Sequence, residues 1–231
     1  MNIGYHLAED FDRKVLLVDL DPQASLTDFM GLEPLDLEKT VYNSLINGEA
    51  LPVFNDIYGM DLVPSNIELS AAELALVVAD MRDFKLKQAL SPLQDAYDFI
   101  LIDCPPSLGI LSYISLVAST HVLIPIQTHN KALKGTELLI RTIYRVQNGA
   151  NRMLKVAGAI PTWYEASTNQ GKRSLESIRK MGSKITIYPP IPKVIAFADA
   201  SELNKPLALY NARLPVVENL RQIAYCLDTL S

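Results

Sequence analysis

Two short apolar runs that end in acids constrain this chain more than any other feature. The first is Val15-Leu16-Leu17-Val18-Asp19-Leu20-Asp21-Pro22, and the second is Phe99-Ile100-Leu101-Ile102-Asp103-Cys104-Pro105-Pro106. Unalternating apolar runs of this length suit strands buried on both faces, as in parallel sheets. Proline then stops each ladder, because it has no N–H to give. Two buried strands therefore deliver carboxylates to the same kind of edge. In open α/β sheets that carboxyl edge is where ligands sit.

Around these runs, apolar strands alternate with helical periodicity. Helices are expected over about 2–9, 23–32, 35–47, 67–82, 84–95, 110–118, 131–147, 167–181 and 194–203, with a last one opening at Pro215. Strands are expected at 15–19, 60–65, 98–103, 121–126, 154–160 and 185–188. In the helix over 67–82, Leu69, Leu74, Val77, Val78 and Met81 are assigned to the buried side, and in 131–147 Leu133, Ile140, Ile143 and Tyr144. The last helix has Val217, Leu220, Ile223, Ala224 and Leu227 as its stripe. The pattern predicts an α/β three-layer sandwich with a mostly parallel, doubly wound sheet. The chain has 231 residues, 49% of them hydrophobic, and shows no repeat or linker, so one domain over 1–231 is expected.

Composition narrows the setting. Two cysteines, Cys104 and Cys226, make no disulfide framework, and a reducing, cytoplasmic setting is the default. No run approaches the roughly 18 apolar residues of a membrane span, so no membrane partner is expected. Residues 1–10 carry neither a charged leader nor a long apolar region, and no signal peptide is expected.

Asp19, Asp21 and Asp103 are the acids with chemical promise. Magnesium takes hard oxygen ligands and keeps several waters, so one or two carboxylates plus phosphate oxygens can hold it. A second acid nearby can orient an attacking water for phosphoryl transfer. The competing role is structural, since aspartate is a preferred cap for the helix that follows a strand. The occurrence of two such clusters, each followed by proline, favours the functional role.

These residues resemble a known family. Val18-Asp19-Leu20-Asp21-Pro22-Gln23 resembles the second-strand motif of the ParA/MinD-like ATPases, the deviant-Walker branch of the P-loop NTPases. Phe99 to Gly109 resembles their Walker B strand and Pro-Pro loop. Val122-Leu123-Ile124-Pro125-Ile126-Gln127, Ala132-Leu133-Lys134-Gly135, Ile191-Pro192-Lys193 and Asn204-Lys205-Pro206-Leu207 are similar to later segments, so the likeness spans nearly the whole chain in order. The resemblance implies an ATPase that partitions plasmid or chromosomal DNA, or positions other cargo, using ATP and magnesium. It implies that Asp103 holds magnesium through water, that Asp21 positions the hydrolytic water and that Asp19 supports the metal shell. Thr162 and Pro192 would border the adenine. It also implies a nucleotide-dependent homodimer, non-specific DNA binding with nucleoid association, and a ParB-like or other partner that stimulates hydrolysis. A cluster-assembly relative is disfavoured, because no cysteine pair supports a cluster.

One family element is missing. No Gly-x-x-x-x-Gly-Lys-Ser/Thr occurs in these 231 residues. Its backbone N–H groups and lysine would cradle the phosphates, and its hydroxyl would bind magnesium. Asn2 to Ala8 resembles the helix that follows that loop, so the chain is expected to be N-terminally truncated relative to the family. The strand leading into the loop lies, in that family, between the strands carrying Asp103 and Ile124. Its loss predicts a gap of roughly 10 Å, two strand spacings, that either closes or leaves buried edges unpaired. Two readings follow: a native protein that begins upstream, favoured by the intact acids, or a shortened, non-catalytic DNA- or partner-binding relative that has lost hydrolysis.

The net charge of −5 is unevenly spread. Residues 1–130 hold 6 basic and 19 acidic side chains, a balance of −13, whereas 131–193 hold 12 and 3, a balance of +9. Residues 194–231 hold 3 and 4, a balance of −1. In the basic segment Lys172, Arg173, Arg179 and Lys180 recur at helical spacing and, with Lys184 and Lys193, can form a phosphate-binding surface for DNA without sequence preference. A solvated helix face is the alternative. Lys131, Lys134, Arg141 and Arg145 recur on another helix. His6, His121 and His129 are scattered, which disfavours a zinc site. Cys104 has no adjacent base and is expected to pack rather than react. Trp163-Tyr164 could stack on a base or belong to a core or interface. No Gly-x-Ser-x-Gly elbow surrounds Ser25, Ser107 or Ser112.

Overall fold

A computed structural model describes residues 1–180 and 185–230, with the backbone alone at 130–134. The apolar run at Val15–Asp19 forms β1, and all five of its residues are buried. It lies inside a four-stranded sheet of order β2-β3-β1-β4, with β2 at Phe54–Ile57, β3 at Met60–Val63 and β4 at Phe99–Asp103. Both β3 and β4 pair parallel to β1, and the register sets Asp19 opposite Asp103. The second sheet has β5 (His121–Gln127) parallel to β6 (Lys155–Thr162).

Helices cover both faces, which is why the strands could be apolar without alternation. On one face Leu16 and Val18 pack against α3 (Val41–Asn47), α4 (Leu69–Val77), α5 (Lys85–Leu90) and α6 (Ile110–Ala118). On the other, Val15 and Leu17 meet α1 (Asn2–Phe11) and Ala224 of α11 (Pro215–Asp228). Gly4 lets α1 approach closely: a Cβ there would stand 2.9 Å from the side chains of Leu17 and Met60. Arg13 ties α1 to α11 through a forked pair with Asp228, at 2.7 and 3.2 Å. β5 and β6 are covered on one face by α6, α7 (Asn130–Gln147) and α8 (Asn169–Lys180), and on the other by α11. The result is the expected three-layer α/β sandwich.

The sheet, however, is in two parts. β4 bonds only to β1, β5 bonds only to β6, and no ladder joins β4 to β5 among the described residues. The predicted gap has not closed. Two helices hold its sides in place. Ile3 of α1 packs in the apolar clusters of both sheets, and α6 contributes Leu111 and Ile114 to one and Leu116 and Val117 to the other.

Several local expectations are corrected. In α4, Leu69 and Ala72 are buried together with Leu76, while Leu74 is 78% and Val78 is 86% exposed, and Val77 and Met81 are exposed too. The helix is apolar on every side, so periodicity could not select its inner face, and it ends at Val77. In α7, Ile143 is buried but Tyr144 is exposed; the side chains of Leu133, Lys131 and Lys134 fall outside the described residues. The segment 185–188 is not a full strand: Ile187 makes a single bridge to Ala159. Gly158 stands opposite it with φ +151°, and a Cβ there would lie 2.5 Å from the Tyr188 ring. The helix expected over 23–32 is shorter, α2 at Ser25–Phe29. The antiparallel β2 was not foreseen. Tyr58 and Gly59, with φ of 55° and 72°, make its two-residue turn to β3. The helices α9 (Ala196–Glu202) and α10 (Leu207–Asn211) divide the late chain, and the predicted stripe of α11 is buried throughout.

Candidate functional site

The three acids meet at the carboxyl ends of β1 and β4, but the fold treats them differently. Asp19 is 0% exposed. Its Oδ1 accepts from the Asp21 N–H at 3.1 Å, and its Oδ2 accepts from the Thr27 N–H at 2.9 Å and the Thr27 hydroxyl at 2.7 Å. The Thr27 hydroxyl in turn accepts from the Ser65 N–H at 2.9 Å. The Ser65 hydroxyl donates to the Asp21 carbonyl at 2.8 Å. A closed circuit thus runs from β1 through α2 and the end of β3 back to the acidic turn. Burial pushes the Asp19 carboxyl up to about 6, against the Thr27 and Asp21 hydrogen bonds that favour its charge.

Asp21 is the acid that this circuit holds. Its Oδ1 accepts from the Gln23 N–H at 2.9 Å. Its other carboxylate oxygen has no partner among the described residues. Asp103, register partner of Asp19, has neither carboxylate oxygen engaged in a hydrogen bond among the described residues, while its carbonyl accepts from the Leu20 N–H at 2.9 Å. Burial raises the Asp103 pKa; the Met1 amine lowers it, and Asp21 raises it. Burial lowers the pKa of that amine, and the Asp103 and Asp19 carboxylates oppose the shift.

The donor set suits magnesium in part. Asp21 and Asp103 offer hard oxygens, yet among the described residues no three His, Cys, Asp or Glu side chains converge as a metal cage. A magnesium ion here would draw its remaining ligands from water and phosphate. The loop after β4 is fixed by Ser112, whose hydroxyl donates to the carbonyls of Ser107 and Pro105. Cys104, expected to pack, is instead exposed, while desolvation of its thiol pushes the pKa up to about 11, so it is not a thiolate at neutral pH.

Thr162 and Pro192 lie close together. Both line a cavity of about 1080 Å³ with Trp163, Lys193, Phe197 and Phe29. Main-chain bonds of Tyr164 to Ile191 and Lys193, at 3.0 and 3.2 Å, set this wall. Trp163 is 51% exposed, and the Lys193 ammonium lies 5.5 Å from its ring centre and 3.4 Å from Glu165. Lys193 therefore faces the cavity rather than the α8 surface. Phe29 and Phe197 were not singled out from sequence. Their one signal was an aromatic residue beside a motif, too common to select.

Lys172, Arg173, Arg179 and Lys180 are all exposed on α8, around a buried edge of Gly171, Ser174, Leu175 and Ile178. Thr168 caps the helix, its hydroxyl oxygen accepting from the Gly171 N–H at 3.0 Å. None of the four cations has an ion pair among the described residues. Lys184 lies outside those residues.

The AAA domain family model matches residues 1–156. The chain is 36% identical to the sporulation initiation inhibitor protein Soj of Bacillus subtilis, over 92% of this chain and 85% of that protein. It is 34% identical to the chromosome partitioning protein ParA of Myxococcus xanthus, over 92% and 76%. Among solved structures, cobyrinic acid a,c-diamide synthase from Mycobacterium smegmatis with bound ADP and magnesium superposes with TM-score 0.84 at 33% identity, covering 98% of this chain and 85% of that one. The cell division ATPase MinD of Pyrococcus furiosus shares the fold, with TM-score 0.79 at 19% identity over 100% of this chain and 91% of that one. With its acids on adjacent strand ends and its order of elements, the chain belongs to the ParA/MinD-like family of ATPases.

Proposed function

We propose that this protein is a nucleotide-dependent positioning ATPase of the ParA type, acting on DNA or another cargo. The observation that carries this reading is the division of labour among the three acids. Asp19 is committed to holding the turn, whereas Asp21 and Asp103 keep free oxygens at the edge where a phosphate ester would lie. Asp103 would hold magnesium through water, and bound magnesium would neutralise phosphate charge. Asp21, fixed by the Asp19–Thr27–Ser65 circuit, would orient the attacking water. The cavity bordered by Thr162, Trp163 and Pro192 would take the base. The α8 cations would bind phosphate backbones without sequence preference. A homodimer and a ParB-like stimulating partner complete the reading, in line with relatives named for chromosome partitioning.

Calorimetric titration with ATP, with and without magnesium, tests it. Binding that requires magnesium and is lost in Asp103→Ala supports the reading. No binding at millimolar ATP removes the enzyme. The protein would then be a DNA- or partner-binding module on the same fold, whose DNA binding ATP does not change.

A further inference from the structure

The chain turns sharply where β6 leaves the sheet. Thr162 is the last ladder residue of β6 and pairs with Gln127 of β5. Trp163 follows with φ 54°, in the left-handed region. A bulky side chain stays in that region only where its surroundings hold it there. The turn ends the ladder, and Tyr164 then bridges to Pro192 on the cavity wall. The indole is left half exposed at the cavity, with the Lys193 ammonium 5.5 Å from its ring centre.

The group that holds this turn comes from the end of β5. Thr128 is 2% exposed and stands one residue beyond Gln127. Its N–H donates to the Thr162 carbonyl at 2.9 Å, and its hydroxyl donates to the Trp163 carbonyl at 3.0 Å. Two successive carbonyls of the turn thus end on one residue. The second of them has no other donor among the described residues. Thr128 is itself fixed, because the His129 N–H turns back to the Gln127 carbonyl at 2.8 Å. Valine at this position would fill the space and leave the Trp163 carbonyl bare.

We propose that Thr128 is a positioning residue for this cavity: its hydroxyl holds Trp163 in the left-handed turn that presents the indole to a planar ring, the base of a nucleotide. The Lys193 ammonium takes one face of the indole, so the opposite face is the one on which a base can stack. Without the hydroxyl the Trp163 backbone is free to relax toward the extended region, and the ring then loses its fixed direction. The base as the ring's partner rests on the function proposed above; the Thr128–Trp163 link does not.

The test reads Trp163, the single tryptophan of the chain, in two arms. In the first, without nucleotide, acrylamide quenching and the decay of fluorescence anisotropy follow the indole. Thr128→Val is expected to raise the quenching and speed the decay, and Thr128→Ser to match the wild type. Should the valine variant fail to fold, Thr128→Ala against Thr128→Ser makes the same comparison, since those two differ only by the hydroxyl. In the second arm, calorimetry with ATP and magnesium is expected to show affinity about two- to tenfold weaker in Thr128→Val, the loss of one hydrogen bond. In a Trp163→Ala background the same change should have no effect. An indole equally ordered with and without the hydroxyl would overturn the proposal. Equal losses of affinity in both backgrounds would also overturn it, because Thr128 would then act without Trp163. If the wild type binds no ATP, the reading of the cavity as a base site fails; an indole still loosened by valine and restored by serine shows that the fault is not in the Thr128–Trp163 link.

Discussion

Asp19 and Asp103 are register partners at the ends of adjacent parallel strands, yet only Asp103 has its carboxylate free of hydrogen bonds among the described residues. Asp19 gives both oxygens to three donors from Asp21 and Thr27. One sheet edge thus places an acid held by local donors beside an acid that is not.

The hydroxyl of Thr27 is the centre of that arrangement, donating to Asp19 and accepting from Ser65. Thr27→Val keeps the shape and removes the hydroxyl. It leaves a buried N–H and a carboxylate oxygen short of a partner, which costs about 1–3 kcal/mol. Urea denaturation should show that loss, and Thr27→Ser should recover most of it. Equal stability of the valine and serine variants would mean that the circuit does not hold the turn.

The raised pKa of Asp19 carries a pH signature. Its carboxyl titrates near 6 in the fold and near 4 in an unfolded chain. Between those values the folded state binds more protons, so this group's contribution makes stability fall as pH rises from about 4 to about 6. The loss is about 3 kcal/mol, complete above the folded pKa. Asp10 works in the opposite sense at lower pH, because its hydrogen bonds to Arg221 and His6 outweigh burial and depress its pKa. The useful quantity is therefore the difference between the wild type and Asp19→Asn across pH 4–6. Denaturant midpoints that differ by a constant amount over that range would exclude Asp19 as the titrating group.

Much of this site was legible because its residues carry redundant signals. An acid after a buried strand and before proline is constrained by ladder, burial and turn at once, so β1, β4 and their three aspartates could be placed from sequence. The Thr27–Ser65 contact could not, since it joins residues 38 positions apart through a hydroxyl with no sequence signature. The inner face of α4 was misread for a related reason: with apolar residues all round, burial is decided by the neighbouring helices and not by period. The gap between β4 and β5 was foreseen only from the resemblance. α1 and α6 pack against both sheets on either side of it.

Trp163 gives the cavity a test of its own. It borders the space lined by Thr162 and Pro192, half exposed and backed by Lys193. Stacking of a base on an aromatic ring contributes about 1–3 kcal/mol. Trp163→Ala should therefore weaken adenine-nucleotide binding about tenfold or more, with Trp163→Phe close to wild type. Fluorescence of this single tryptophan should be quenched on binding to the wild type. Unchanged affinity in the alanine variant would move the base elsewhere.

The α8 cations make the sharpest claim about partners. Arg173, Arg179 and Lys180 are exposed and carry no ion pair among the described residues, so removing them should leave the fold intact. Each neutralised phosphate releases counterions, so affinity for DNA should fall steeply with salt. The slope should shrink by about one for each phosphate that a variant leaves without its cation. Changing all three to Glu should abolish retention on non-specific DNA in a salt titration, while circular dichroism and melting stay unchanged. Lys193 provides the internal control. It sits by Trp163 and Glu165 in the cavity, so Lys193→Ala should alter nucleotide binding more than the DNA salt slope. If the triple variant keeps its DNA affinity and salt slope, α8 is a solvated face and DNA meets the protein on another surface.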